Sequence, residues 1–208
     1  NGNNNSEKKI LELLRNQKAD VICLQEIFLS GDPVRKQQEI KSAAGQGYNS
    51  HFKIIRTGKN RSYGIVTLSR YPIVGRKDIV HEKSSSLSIY TDILAGQDTI
   101  RIFNNHLQSF RLQRMERTFI NELVEGTEER ETFHEIANIS SSLRAGFVKR
   151  ASQATAVKEV INKSPYPVIV AGDFNDTPVS YSYRKIRRGL FDSFVSAGYG
   201  AGFTYKGN

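Results

Sequence analysis

Three short polar stretches stand at the ends of apolar runs. They are Gln25-Glu26 after Val21-Ile22-Cys23-Leu24, Asn104-Asn105-His106-Leu107 closing Thr99–Leu107, and Gly172-Asp173-Phe174-Asn175 after Val168-Ile169-Val170-Ala171. Taken singly they are ordinary. A glutamate after a strand is usually a solvated turn residue, a lone histidine is often a satisfied half-buried one, and Asp and Asn beside glycine bond their own backbone in turns. Together they supply a carboxylate for a hard cation, a group to orient or deprotonate water, and donors for phosphoryl oxygens. Those are the parts that metal-assisted hydrolysis of a phosphate ester requires. Loops converge at strand ends in layered sheets, so Glu26, His106, Asp173 and Asn175 are expected to share one cleft.

Periodicity outlines the elements that must position these groups. Ser6 fits the N-cap of a helix from Glu7 to Gln17, with Ile10, Leu11, Leu13 and Leu14 as its apolar stripe and Arg15 and Lys18 near its C-terminal end. Val21 to Leu24 reads as a short strand covered on both faces, with Gln25 and Glu26 at its C-terminal end. Tyr63 to Ser69 reads as a strand closed by Arg70-Tyr71-Pro72, and another begins near Pro72. Ser88 to Ala95 and Thr99 to Leu107, joined by Gly96-Gln97-Asp98, carry a hairpin signature that disfavours a purely parallel sheet. From Arg111 to Lys163 the chain reads helical. Val148, Ala151, Ala154, Val157 and Ile161 mark a face of small residues that can pack on a sheet, and residues 111–146 read as a helical insertion over the surface. Pro165 and Pro167 end that helix before the second buried strand, Val168 to Ala171, and Ser180 to Arg188 reads as a further short helix. No repeat of solenoid spacing is present.

The 208 residues suit one domain. With 38% hydrophobic and 25% charged residues, 16 Gly and 5 Pro, the collagen-like, low-complexity and disulfide-scaffold classes are excluded. No apolar run approaches a bilayer span and no basic-then-apolar leader is visible, so a soluble domain of open compartment is expected. The single Cys23 cannot pair within the chain, so cysteine usage carries no sign of an oxidising compartment. The formal charge is +9. Between Glu116 and Asn138 seven glutamates face two arginines, a local −5 that leaves +14 on the rest. A basic body attracts polyanions, although the same charge also serves solubility. Arg184, Lys185, Arg187 and Arg188 could guide a polyanion or form a solvated helix face, and Tyr181, Tyr183, Tyr199 and Tyr205 could stack on bases or simply pack, with no Trp to anchor a platform.

The stretches Ile22 to Glu26, Tyr63 to Ile73 (Tyr-Gly-Ile-Val-Thr-Leu-Ser-Arg-Tyr-Pro-Ile), Asn104 to Leu107 and Gly172 to Asn175 resemble, in order, the motifs of the endonuclease/exonuclease/phosphatase superfamily. That superfamily includes DNase I-like nucleases, abasic-site endonucleases, inositol-polyphosphate phosphatases, sphingomyelinases and tyrosyl-DNA phosphodiesterases. The resemblance implies a four-layer α/β sandwich, two mixed sheets face to face with helices outside. It also implies roles. Glu26 would bind the catalytic Mg²⁺, for which Mn²⁺ could substitute, Asp173 would orient and help deprotonate the attacking water, and Asn175 would donate to the scissile phosphate. Asn104 would support the site, and His106 would contact the phosphate and assist proton transfer. The implied activity is that of a Mg²⁺-dependent phosphoesterase, foremost a nuclease-like phosphodiester hydrolase. A phosphatase or phospholipase with the same machinery, or a phosphate-polymer binding relative without catalysis, are the alternatives. The implied partner is a phosphate-ester substrate, nucleic acid among the candidates.

Two departures qualify that expectation. The family's first strand normally ends in an Asn that helps bind metal and phosphate, whereas Asn1 to Asn5 read as loop, so none of them is assigned that role. The family also ends on a strand with Asp and a Ser-Asp-His motif, and none of His51, His81, His106 and His134 follows Ser-Asp. The chain is therefore expected to be one domain lacking its first and last family strands, with weak Mg²⁺ binding and little turnover by these 208 residues alone.

Overall fold

The computed structural model describes residues 4–59, 61–82, 84, 86–109 and 133–198. In chain order the elements are α1 (Asn4–Asn16), β1 (Val21–Ser30), α2 (Pro33–Ala44), β2 (Asn49–Gly58), β3 (Arg61–Ser69), β4 (Ile73–Ile79), β5 (Leu87–Ala95), β6 (Asp98–His106), α3 (Phe133–Asn162), β7 (Val168–Asp173), α4 (Tyr181–Arg187) and α5 (Ser193–Ala197). β2 pairs with β3 and β5 with β6 as antiparallel neighbours in sequence, the second pair joined by a tight turn. A parallel pair instead needs a long crossover, and β6 and β7 are the parallel neighbours, with α3 between them in the chain. The resulting sheets have orders β1-β3-β2 and β4-β5-β6-β7. Only the four-stranded sheet is mixed, because β3 lies antiparallel to both of its neighbours.

Side-chain alternation sets the layers. Phe103 of β6 and Leu107 just past its end pack with Ala154, Val157 and Ile161 of α3 and Ile186 of α4. Asn104 and His106 face the other way, toward the three-stranded sheet. That sheet covers its opposite face with Leu11 and Leu14 of α1 and Ile40, Ala43 and Ala44 of α2, which bury Ile27, Leu29, Val66 and Leu68. Ile65, Leu87 and Ile89 fill the space between the sheets, joined by a hydrogen bond of 2.8 Å between buried His51 and Thr91. Each such Leu or Ile, removed from water, contributes about 1.5–3 kcal/mol. The order of layers is helix, sheet, sheet, helix, the α/β sandwich that the motifs implied.

Several local expectations shift. Helix α1 starts at Asn4, ahead of Ser6, and ends at Asn16; only Leu11 and Leu14 of its stripe are buried, while Ile10 and Leu13 stay exposed. β1 and β7 are edge strands of their sheets, half-buried along most of their length, with Ile169 of β7 53% exposed. An apolar run records covered faces and says nothing about a missing lateral neighbour. Val148 points to solvent from α3. Most of the 111–146 stretch lies outside the described residues, as do Tyr199 and Tyr205. Among the described residues no helix is long and apolar enough to cross a membrane.

Candidate active site

β1 pairs with β3 from Val21↔Ser69 to Leu24↔Val66 and resumes at Ile27↔Gly64. Gln25 and Glu26 thus oppose Ile65 alone, a β-bulge in which Glu26 takes φ 52°. The bulge lies within the strand, not at its end as the apolar run suggested. Its effect is a change of phase. Ile22 and Leu24 face the helices before it, Ile27 and Leu29 face them after it, and both residues of the bulge reach across to β6. Regular alternation would have sent Glu26 under α1 and α2. A left-handed conformation at a non-glycine residue costs about 1–3 kcal/mol. Among the described residues only Glu26 and Asn175 show it.

Gln25 Nε2 donates to Asn104 Oδ1 at 2.7 Å, and Asn104 Nδ2 donates to Val66 O at 2.9 Å, with Leu24 O and Thr67 Oγ1 at 3.4 Å. Asn104 is fully buried and committed to these partners. It clasps the two sheets at the bulge. His106, one alternation further along β6, is 5% exposed; its Nδ1 bonds the Tyr63 hydroxyl and its Nε2 lies 3.4 Å from Glu26 Oε1. The latter contact falls short of hydrogen-bond geometry, leaving Nε2 a buried polar atom without a formed bond. Burial lowers the His106 pKa below the usual imidazole value, while the Glu26 and Asp173 carboxylates act in the opposite direction. The Glu26 side chain itself is 56% exposed.

The parallel pairing of β6 and β7 sets Asp173 beside His106 in register. Asp173 O accepts from Leu107 N at 2.9 Å, and Asp173 Oδ1 accepts from Asn175 N at 2.9 Å, closing a turn that brings Asn175 Nδ2 to Leu107 O at 3.1 Å. Asp173 is exposed. Gly172 makes this approach possible: at φ +147° a Cβ would lie 2.0 Å from Asn105 O. Behind the turn, fully buried Arg150 of α3 pairs with Asp176 at 2.9 Å and donates to Gln108 O at 2.9 Å, joining the loops after β6 and β7. Glu26, His106, Asp173 and Asn175 therefore gather where the β1 bulge meets the ends of β6 and β7, and Asn104 lies beneath them.

Among the described residues no three His, Cys, Asp or Glu side chains come together as a ready cation cage. Glu26 offers an exposed carboxylate on a rigid bulge. One or two carboxylates suit Mg²⁺, which keeps several waters and completes its shell on substrate phosphate. The basic cluster sits on and just after α4, with Arg184, Arg187 and Arg188 exposed, Lys185 over the Tyr181 ring and Arg187 over the Tyr183 ring. His51 and His81 bond Thr91 and Ser88 respectively. Sequence reasoning missed Tyr63, Phe28 and Arg150. Tyr63 had one readable signal: it alternates in phase with Ile65 and Thr67 on the strand opposite the Asn104-to-His106 segment.

The endonuclease/exonuclease/phosphatase family profile matches residues 1–208. Among solved structures, a family protein from Leptotrichia buccalis aligns at 16% identity and TM-score 0.58 over 93% of this chain and 72% of its own. Sphingomyelinase C from Streptomyces griseocarneus aligns at 18% identity and TM-score 0.51 over 86% of this chain and 62% of its own. The beta toxin of Staphylococcus aureus, as a double mutant with bound magnesium ions, aligns at 15% identity and TM-score 0.57 over 90% of this chain and 64% of its own. The chain thus spans roughly two thirds of the length of these proteins, and at such identities they share its fold. No curated protein matches it in sequence. The fold, the ordered motifs and the full-length profile match together establish that the chain belongs to the endonuclease/exonuclease/phosphatase family.

Proposed function

We infer that the chain is the core of a Mg²⁺-dependent phosphoesterase, of the nuclease-like phosphodiesterase kind. The observation that supports this reading is that Glu26, His106, Asp173 and Asn175 come from two sheets to where the β1 bulge meets the ends of β6 and β7, with both strained residues among them. In this mechanism Glu26 would hold the cation through its exposed carboxylate, and a bound Mg²⁺ would supply charge neutralisation at the phosphate. Asp173, fixed at one oxygen by Asn175 N, orients the attacking water and takes its proton. Asn175 and His106 donate hydrogen bonds to phosphoryl oxygens as charge builds on them. The magnesium ions in the S. aureus beta toxin support the choice of cation. The +9 charge supports a polyanionic substrate, whereas the likeness to a sphingomyelinase supports a lipid-borne phosphodiester.

The test is hydrolysis, by the whole protein, of single-stranded, double-stranded, abasic and tyrosyl-linked DNA, RNA, inositol phosphates and sphingomyelin, each with Mg²⁺ and with EDTA. The expected result is Mg²⁺-dependent cleavage of a nucleic-acid phosphodiester. Cleavage confined to sphingomyelin would select the lipid reading, and cleavage undiminished by EDTA would remove the cation from the mechanism.

A further inference from the structure

We propose that Tyr63 is a positioning residue for His106, its hydroxyl donating to Nδ1 so that the ring presents Nε2–H toward Glu26. The argument is one of donors and acceptors. Nε2 lies 3.4 Å from Glu26 Oε1, and an ionised carboxylate only accepts, so the hydrogen belongs on Nε2. A neutral imidazole carries a single N–H, so Nδ1 is then bare and accepts, and the Tyr63 hydroxyl is its donor. The opposite tautomer would turn the Nε2 lone pair toward the carboxylate.

Packing holds the pair in place. The Tyr63 ring meets the His106 ring edge-on at 5.8 Å between centroids and lies 5.4 Å from Phe28, whose own side chain is largely exposed. His106 is 5% exposed and Nε2 has no formed hydrogen bond within the protein. A buried donor left open costs about 1–3 kcal/mol, which a phosphoryl oxygen arriving beside Glu26 would relieve. On this view Tyr63 fixes which His106 nitrogen faces the substrate, so His106 arrives as a hydrogen-bond donor and not as a base. The step from ring orientation to turnover rests on the phosphoesterase reading; the tautomer itself does not.

The experiment is ¹⁵N NMR of the histidine side chains of the 208-residue chain at pH 8, where the ring is neutral, with His106 assigned by its loss in His106→Gln. The expected spectrum shows a protonated Nε2 and a hydrogen-bonded, bare Nδ1 at His106. Tyr63→Phe, which removes only the hydroxyl, should shift the Nδ1 resonance and lose the single-tautomer pattern. Against bis(p-nitrophenyl) phosphate with Mg²⁺, the same substitution in the whole protein should lose about 10-fold in kcat with KM within about two-fold, as expected for a supporting partner. A wild-type ring protonated at Nδ1 overturns the proposal, even if Tyr63→Phe does not fold. So does a Tyr63→Phe spectrum identical to wild type. Absent hydrolysis by the whole protein, with the expected spectra, would instead reject the phosphoesterase reading and leave the Tyr63 assignment standing.

Discussion

Glu26 Oε1 lies 3.4 Å from His106 Nε2, and the two residues belong to different sheets. The contact exists because the bulge turns Glu26 away from the helices and toward β6. The juxtaposition is thus a product of sheet-on-sheet packing, held by the Gln25–Asn104 bond just beneath it. Small changes in register would separate the carboxylate from the imidazole while leaving both sheets intact.

Glu26→Gln should weaken Mg²⁺ binding at least about 10-fold in calorimetric titration, because the amide keeps the shape and loses the charge that holds a hard cation. Its oxygen can still face His106, so the fold should be unaffected. EDTA should abolish hydrolysis by the whole protein and Mg²⁺ or Mn²⁺ restore it, whereas the 208 residues alone should turn over little. Equal Mg²⁺ affinity in the two proteins would remove Glu26 as a ligand.

In the whole protein, Asp173→Asn should reduce kcat by at least about 10²-fold, the usual cost of losing a base. The turn should survive, since the Asn oxygen can accept from Asn175 N as Asp173 Oδ1 does. At an exposed position the melting temperature should move by no more than about 2 °C. Activity within a few-fold of wild type would take Asp173 out of the mechanism.

The parts legible in the sequence were those in which residue type is itself the chemistry or the geometry. Gly96-Gln97-Asp98 announced the β5–β6 hairpin, and Gly96 takes φ +69° there. Glu26, His106, Asp173 and Asn175 stood out as polar groups closing apolar runs. What remained hidden depends on a neighbour distant in sequence. An apolar run cannot show that β1 lies at a sheet edge, nor that two residues of it will oppose one of β3. Tyr63 carries no mark of its hydrogen bond to His106, which only sheet packing creates. Helix α2 escaped for a different reason: only Ile40, Ala43 and Ala44 of it are buried, too thin a stripe for periodicity. Asp32 capping Val34 N and Arg35 N, Pro33 in the first turn and Gly45 after the last were nonetheless readable end signals.

Gly172→Ala should destabilise the protein by about 4 kcal/mol or more in urea unfolding, beyond the range of most substitutions. The added carbon would sit 2.0 Å from Asn105 O, a backbone atom in the paired neighbouring strand that cannot step aside. Relief requires parting β6 from β7 where Asp173 leaves the sheet. Whatever Gly172→Ala protein remains folded should therefore also lose activity. A loss below about 1 kcal/mol would mean that the two strands are not so closely apposed.

His51 gives the fold an acid sensitivity that can be separated from catalysis. It is 6% exposed between the sheets, bonded to Thr91, and burial pushes its pKa down to about 4. The unfolded chain takes up this proton near pH 6.5, whereas the folded protein resists until about pH 4. Between those values the unfolded state binds more protons, so stability falls as pH falls through the window and is fully retained above it. The shift bounds the loss at about 3 kcal/mol. His51→Asn keeps a polar atom near Thr91 Oγ1 and cannot titrate. His81 and His106, which burial also holds low, titrate in both proteins, so the difference between the two isolates His51. Urea unfolding at pH 7.5 and pH 4.5 should show the wild type losing about 1–3 kcal/mol more than His51→Asn over that interval. Equal losses would mean that His51 is protonated in the folded protein as readily as in the unfolded chain, and that the space between the sheets is wetter than its burial implies.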